Sequence, residues 1–207
     1  MSRSGLSPIT FIITILTITS LLVWLSLKVH DAREPLPFDR FIYHTFAHIQ
    51  SPTVENFFKM AGRMGSSAVV IGIAAAMGIF LTATGRWYGL LTLAVAITGT
   101  QITTHFGKWL IHRPRPGAVL DVTTSFSFPS AHAASTVVIW GTAGYLIGSH
   151  LTGLPRLAGL LIAGAIIVSV AISLIVRNVH YPSDVAAGLL VGALWLIAGM
   201  AISKYAT

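Results

Sequence analysis

Six long apolar runs divide the chain, and its polar residues are concentrated between them. The first run, Pro8 to Val29, carries no charge before Lys28 and is long enough to cross a bilayer core of about 30 Å. Ser66 to Thr84, Trp87 to about Phe106, His132 to Ser149, Leu157 to Val176 and Asp184 to Ser203 follow it. None alternates polar and apolar positions as a membrane β-strand does, so the expected class is all-α and polytopic, with six transmembrane helices. The first run exceeds the apolar core of a secretion signal, and no small-residue cleavage site follows, so it reads as a retained span. Ser66 to Thr84 is rich in Ala and Gly, which lets helices pack closely in lipid. Trp87 and Tyr88 stand where interfacial aromatic anchors are expected.

The stretch from His30 to Gly65 is mixed in character. Pro35 and Pro37 are expected to break any helix early in it. Ile42, Phe46 and Ile49 then recur at helical spacing, as do Val54, Phe57, Phe58 and Ala61. Such stripes fit short helices lying in the membrane interface, or equally helices packed on the span ends. The turns at 85–86 and 150–156 are short and belong on one side with both termini. The three polar connections belong on the other.

Composition strengthens this picture. The chain is 54% hydrophobic and 9% charged, against about 45–50% and about 25% in soluble domains. With no cysteine, disulfides, thiolate catalysis and Cys-ligated metals are excluded. The net charge of +7 raises nucleic acid as a partner, but the cations sit at span ends and form no continuous basic face. Nucleic acid is excluded on that ground. Nine Lys and Arg residues fall on the polar-loop side and four on the terminal side, so a raw charge count puts the polar loops in the cytoplasm. That count is compromised if several of those cations bind an anion.

The densest polar stretch is KWLIHRPRPGAVLDVTTSFSFPSAH, Lys108 to His132. It holds Lys108, His112, Arg113, Arg115, Asp121 and His132 at the edge of a span, where such groups are costly unless they meet water or an ionic ligand. Three clusters fall on the same face. Lys108 with Arg115-Pro116 offers a point charge and a planar fork suited to phosphate oxygens, although basic residues also snorkel at interfaces. Pro129-Ser130-Ala131-His132 opens a span, so its free N–H groups favour an anion; a plain helix cap is the alternative. His180-Tyr181-Pro182-Ser183-Asp184 opens another. A carboxylate beside an imidazole fixes its tautomer and makes the other nitrogen a better nucleophile, while the simpler reading is a capping carboxylate beside a loop histidine.

Together the three clusters resemble the type 2 phosphatidic acid phosphatase family, whose pattern is K-x6-RP, then PSGH, then SR-x5-H-x3-D. The first motif is complete from Lys108 to Pro116. The second has Ala131 in place of glycine, and the third runs Ser173-Leu174, His180, Asp184. The length predicts a single domain over 1–207, with a first span and interfacial segment at 1–65 and a catalytic core at 66–207; the resemblance covers roughly the last two-thirds of the chain. By the same resemblance Lys108, Arg115, Ser130 and the backbone at Ala131 hold a phosphate. His180 attacks phosphorus, Asp184 orients it, and His132 protonates the leaving oxygen and then activates water. No metal or other cofactor is implied.

The substrate implied is a lipid phosphate or diphosphate of the undecaprenyl pyrophosphate, phosphatidylglycerophosphate or phosphatidic acid type. It is met in the bilayer of a bacterial inner membrane, with the site facing the extracytoplasmic side. Two departures bear on this. Ala131 adds only a methyl group, harmless if φ there is not positive. Leu174 replaces a phosphate-binding arginine, and Arg177, one helical turn later, is the expected substitute, an interface anchor with the site one cation short being the alternative. Arg113 reads as an interfacial residue, with contact to a second phosphate or a headgroup as the alternative, and no role is assigned to His105 or His112. A lipid phosphotransferase of the same fold and a catalytically impaired lipid-phosphate binder are the rival readings. Oligomeric state is not encoded in any of these features.

Overall fold

The computed structural model describes residues 7–32, 34–47, 51–116 and 126–205. Within them the chain forms eight α-helices and no strand. Helix α1 (Pro8–Asp31) opens with Pro8, whose fixed φ suits a first turn, and with the Ser7 hydroxyl accepting the Thr10 N–H at 3.1 Å. Two short amphipathic helices follow, α2 (Pro37–Ala47) and α3 (Pro52–Arg63). Pro37 does not break a helix as expected but opens one, because a first-turn N–H has no intrahelical partner to lose. Ile49 lies outside the described residues. The long helices are α4 (Ser67–Ala83), α5 (Trp87–Ile111), α6 (Ala131–His150), α7 (Gly153–Val176) and α8 (Pro182–Tyr205).

Each predicted apolar run therefore forms a helix, but the runs differ in polarity. Pro8–Asp31, Pro52–Ala83, Gly153–Val176 and Pro182–Ile202 are long and apolar enough to cross a membrane. Helices α5 and α6 are more polar on their inner faces, with Thr92, Thr100 and Thr104 buried in α5 and Thr136 and Thr142 in α6. Large apolar side chains such as Ile9, Leu16, Trp24, Leu154 and Ile162 point outward and are mostly exposed. A water-soluble fold would bury such surface; a bilayer makes it the favourable one. The chain is an integral membrane protein.

Helix α8 is central and packs against α5, α6 and α1, while α7 lies on the other side of α6 and α3 lies against α7. Close packing of α8 depends on two glycines one turn apart, Gly188 and Gly192. A Cβ on the first would come within 2.4 Å of the Ser130 carbonyl oxygen, and on the second within 2.5 Å of the Ala134 carbonyl oxygen. This small-xxx-small spacing lets helix backbones touch. Leu81, Leu93, Ala96, Val138 and Ile139 join α4, α5 and α6 in one core. Ala133, Ala171, Leu174 and Val185 form a second core among α6, α7 and α8. The C-terminal ends of α5 and α7 and the N-terminal ends of α6 and α8 meet at one end of the bundle, with α2 beside them.

Candidate active site

The last turn of α5 carries Lys108, and the helix stops when His112 takes a left-handed conformation at φ 50°. The chain then turns across the bundle end. Ser127 ties it back, its N–H and hydroxyl donating to the Arg113 carbonyl at 2.8 and 3.1 Å. The Lys108 ammonium donates to the Phe126 carbonyl. Asp121 lies outside the described residues. Arg115 reaches towards the α7–α8 connection, where its Nη1 donates to the Val179 carbonyl at 3.1 Å and stands 3.4 Å from His180 Nε2.

Ser130 caps α6. Its carbonyl accepts the Ala134 N–H at 3.1 Å, and its hydroxyl lies 3.4 Å from the Ala133 N–H. Its own N–H donates to the Asp184 carbonyl at 3.0 Å, which stitches the second cluster to the third. Ala131 is not at positive φ, a conformation confined among the described non-glycine residues to His112 and Asn178. Alanine is therefore unstrained where glycine was expected.

Helix α7 ends at Val176, and Asn178 reverses the chain at φ 54°. The N–H groups of Val179 and His180 both point back to the Leu174 carbonyl, at 3.2 and 3.3 Å. This delivers His180 inward, where it is 2% exposed. Asp184 sits in the first turn of α8 and accepts the Tyr181 N–H on Oδ2 at 2.9 Å, so the capping role is real. That same oxygen lies 3.6 Å from His180 Nδ1, beyond hydrogen-bond length, and Nδ1 has no other partner. Burial holds the His180 imidazole below its ordinary pKa of 6.5; Asp184 opposes the shift, and Arg115 and Lys108 reinforce it. The ring is thus neutral at neutral pH and carries a lone pair, as a nucleophile requires; Arg115 Nη1 faces it at Nε2.

Arg113 is not an interfacial residue. It is 9% exposed, and its Nη1 donates to Ser183 Oγ at 2.7 Å and to Asp184 Oδ1 at 2.6 Å. Its Nη2 donates to Asp39 Oδ2 at 2.7 Å, and its guanidinium lies 4.1 Å from the Tyr181 ring centroid. An arginine anchored on two buried carboxylates and an aromatic face is locked in the protein, not snorkelling. Asp39, on α2, is the residue that sequence reasoning missed. It is 1% exposed and also accepts the Ser183 N–H and hydroxyl, both at 2.8 Å. Locally it only accepts the Leu36 N–H at 3.2 Å, an ordinary first-turn contact, while Arg113 and Ser183 lie 74 and 144 residues away along the chain.

His132, one residue into α6, is exposed and lines a cavity with Gly65, Gln101, Ala131 and Ser135. His180, Arg115, Lys108 and Arg177 are all near enough to act on it electrostatically. Leu174 is 5% exposed and packs into the apolar cluster with Ala133, Ala171 and Val185. Arg177 is exposed and passes close over α3, since a Cβ on Gly62 would meet its Nη1 at 3.0 Å. Among the described residues no three His, Asp or Glu side chains converge as metal ligands would.

Comparison with known proteins places this geometry in context. Residues 89–207 match the PAP2 superfamily. Phosphatidylglycerophosphatase B of Bacillus subtilis (strain 168) is 31% identical over 152 residues, covering 70% of this chain and 73% of that protein. Decaprenylphosphoryl-5-phosphoribose phosphatase of Mycobacterium tuberculosis is 40% identical over 91 residues, 42% of this chain and 45% of that one. Among solved structures, a transmembrane PAP2 type phosphatidylglycerolphosphate phosphatase from Bacillus subtilis aligns with a TM-score of 0.81 at 21% identity, over 94% of this chain and 98% of that chain. Aquifex aeolicus LpxE aligns with a TM-score of 0.60 at 21% identity, over 83% and 98%. At that identity the structural likeness speaks for the fold. Asp39 lies outside the family match; the other site residues lie within it.

Proposed function

Because this chain belongs to the PAP2 superfamily, we propose that it dephosphorylates a membrane lipid phosphate through a phosphohistidine on His180, with no metal taking part. The observation that carries this reading is the buried His180, with Asp184 behind Nδ1 and Arg115 beside Nε2. Nε2 is the attacking atom. As the N–P bond forms, the bond from phosphorus to the lipid oxygen breaks, and His132 gives that oxygen a proton. His132 then takes a proton from water, which attacks phosphorus, breaks the N–P bond and releases inorganic phosphate. Lys108, Arg115, the Ser130 hydroxyl and the N–H groups at the start of α6 neutralise the charge of the transferring group. Phosphoryl transfer needs little else beyond alignment. Lys108 leaves the Phe126 carbonyl to do this.

Phosphatidylglycerophosphate is the first substrate to test, because both the relative matched over most of its length and the structure matched at 0.81 carry that activity in their names. Prenyl and pentose phosphates of polyprenols follow. The cavity beside His132 lies on the leaving-group side and gives the lipid oxygen its way in from the bilayer. We read α1 and α4 to α8 as six spans, with the site on the extracytoplasmic face. The charge count that argued otherwise loses Lys108, Arg115 and Arg177 to the phosphate and Arg113 to buried carboxylates, which leaves five cations against four and no clear bias. Arg177 is proposed to meet the phosphate from the α3 side, in place of the arginine absent at Leu174.

Phosphate release from a panel of phosphatidylglycerophosphate, phosphatidic acid and a prenyl diphosphate, with and without excess chelator, tests the reading. Release that is chelator-resistant and lost in His180→Gln supports it; chelator-sensitive release, or release that survives the substitution, overturns it. A second reading rests on Leu174, which leaves the site one cation short if Arg177 does not engage. A folded protein that binds lipid phosphate but releases none from any lipid would be an impaired binder, and phosphoryl transfer to an added acceptor lipid would make it a transferase.

A further inference from the structure

Asp184 connects His180 to the rest of the protein, and its carboxylate is already occupied. Oδ1 accepts from Arg113 at 2.6 Å and Oδ2 from the Tyr181 N–H at 2.9 Å. An Asp184–Arg113 pair alone would be neutral and would give little support to a ring that gains positive charge when it bonds phosphorus. Asp39 changes that balance. Its carboxylate meets the other arm of the same guanidinium at 2.7 Å, so one positive and two negative charges leave a net charge of minus one. All three groups are nearly free of solvent, at 1% for Asp39, 9% for Arg113 and 0% for Asp184, so their charges are poorly screened. Ser183 closes the ring of contacts, accepting from Arg113 and donating to Asp39. Every polar atom of the Asp39 carboxylate is thereby fixed.

We infer that Asp39 and Arg113 are positioning residues, which pin Asp184 behind His180 and keep one uncompensated negative charge there. The inference rests on the phosphohistidine reading. It brings α2, which lies outside the family match, into the control of the nucleophile. Arg113 restrains Asp184 from bonding Nδ1 fully, which accounts for the 3.6 Å gap, and Asp39 limits how much charge that restraint removes. The other charged or titratable groups facing His180 are Arg115 from the segment after α5, Lys108 from α5 and His132 from α6. None is altered by the variants below.

The test follows two readouts in Asp39→Asn, Asp39→Glu and Arg113→Gln protein in detergent. One is the titration of His180 by NMR of isotope-labelled histidine, assigned with His180→Gln. The other is the acid limb of kcat for phosphate release. Asp39→Asn removes a negative charge, so both midpoints move down by roughly half to one pH unit, and kcat falls. Arg113→Gln removes a positive charge, so both move up, and Asp39→Glu stays near the wild type. Opposite signs are not produced by general loosening. Midpoints unchanged in both variants, or moved in the same direction, would overturn the inference. If Asp39→Asn does not fold, Arg113→Lys beside Arg113→Gln decides: the charge-keeping variant stays near the wild type while the neutral one moves up, and an upward shift of both would overturn the inference. If the wild type releases no phosphate yet the NMR midpoints move in opposite directions, the charge network stands and the proposed function falls. If phosphate is released through His180 but its midpoint stays put in both variants, the proposed function stands and the charge network falls.

Discussion

Replacing Gly188 by alanine tests whether the close contact of α8 with α6 builds the site. The added Cβ would lie 2.4 Å from the Ser130 carbonyl oxygen and 3.0 Å from the Ala133 Cβ. The first obstacle is backbone, so no rotamer change relieves it, and the start of α6 must retreat by about 1 Å to reach ordinary contact. That retreat stretches the Ser130 N–H to Asp184 carbonyl bond from 3.0 Å beyond useful length, at about 1 kcal/mol. Overpacking adds about 1–3 kcal/mol. The larger effect is on chemistry, because Ser130 and His132 move with α6 while Asp184 stays with α8. A displacement of that size costs about 10²-fold in rate. The assay is kcat for phosphate release in detergent, beside the thermal midpoint. Gly164→Ala on α7 is the control, since nothing lies within 4 Å of its added Cβ. A Gly188→Ala enzyme within about threefold of wild type would refute the reasoning.

Three further outcomes are expected. Because burial holds His180 of the free enzyme below its ordinary 6.5, the limb of kcat/KM that reports the free enzyme's histidine stays level as pH falls through that value and declines only below it; a decline centred at or above 6.5 would contradict the buried nucleophile. The same depressed pKa makes stability fully present above 6.5 and lost as pH falls towards the folded-state value, so the thermal midpoint of His180→Gln should vary less over that window than the wild type's. Arg177→Ala should lower kcat/KM by about tenfold, the worth of one charge-assisted contact, and an unchanged value would leave Arg177 as a surface residue only.

The apolar runs were legible because a helix in lipid must be apolar over its whole length, and a span's existence survives errors at its ends. The ends themselves shifted. Helix α5 runs on to Ile111, so Lys108 lies inside its last turn, where a cation is favoured by the exposed carbonyls. Helix α7 starts at Gly153, because Pro155 is tolerated in a first turn. The two ends that open α6 and α8 were read closely, since Pro-Ser and Pro-Ser-Asp are helix-start signals with a physical cause.

What the sequence concealed was pairing across distance. Arg113 looked like one more cation at a membrane edge, and only the fold brings it to Asp184, 71 residues on. Asp39 stood in no motif, and only the fold brings it to Arg113 and Ser183. Gly188 and Gly192 sat in a run already assigned to the bilayer, so their contact with α6 had no separate signal. Leu174 stood out as a departure, but its packing with Ala133 and Val185 emerged only when three helices met.

A covalent phosphate on His180 can be trapped during turnover. Wild-type and His180→Gln protein would be mixed with phosphatidylglycerophosphate labelled in its terminal phosphate, in excess chelator, then quenched in alkali during turnover. The expected result is label on the wild-type protein that survives alkali, is lost in acid, and is absent from His180→Gln, which also fails to release phosphate. Turnover by the wild type with no protein-bound label, together with undiminished release by His180→Gln, would contradict it.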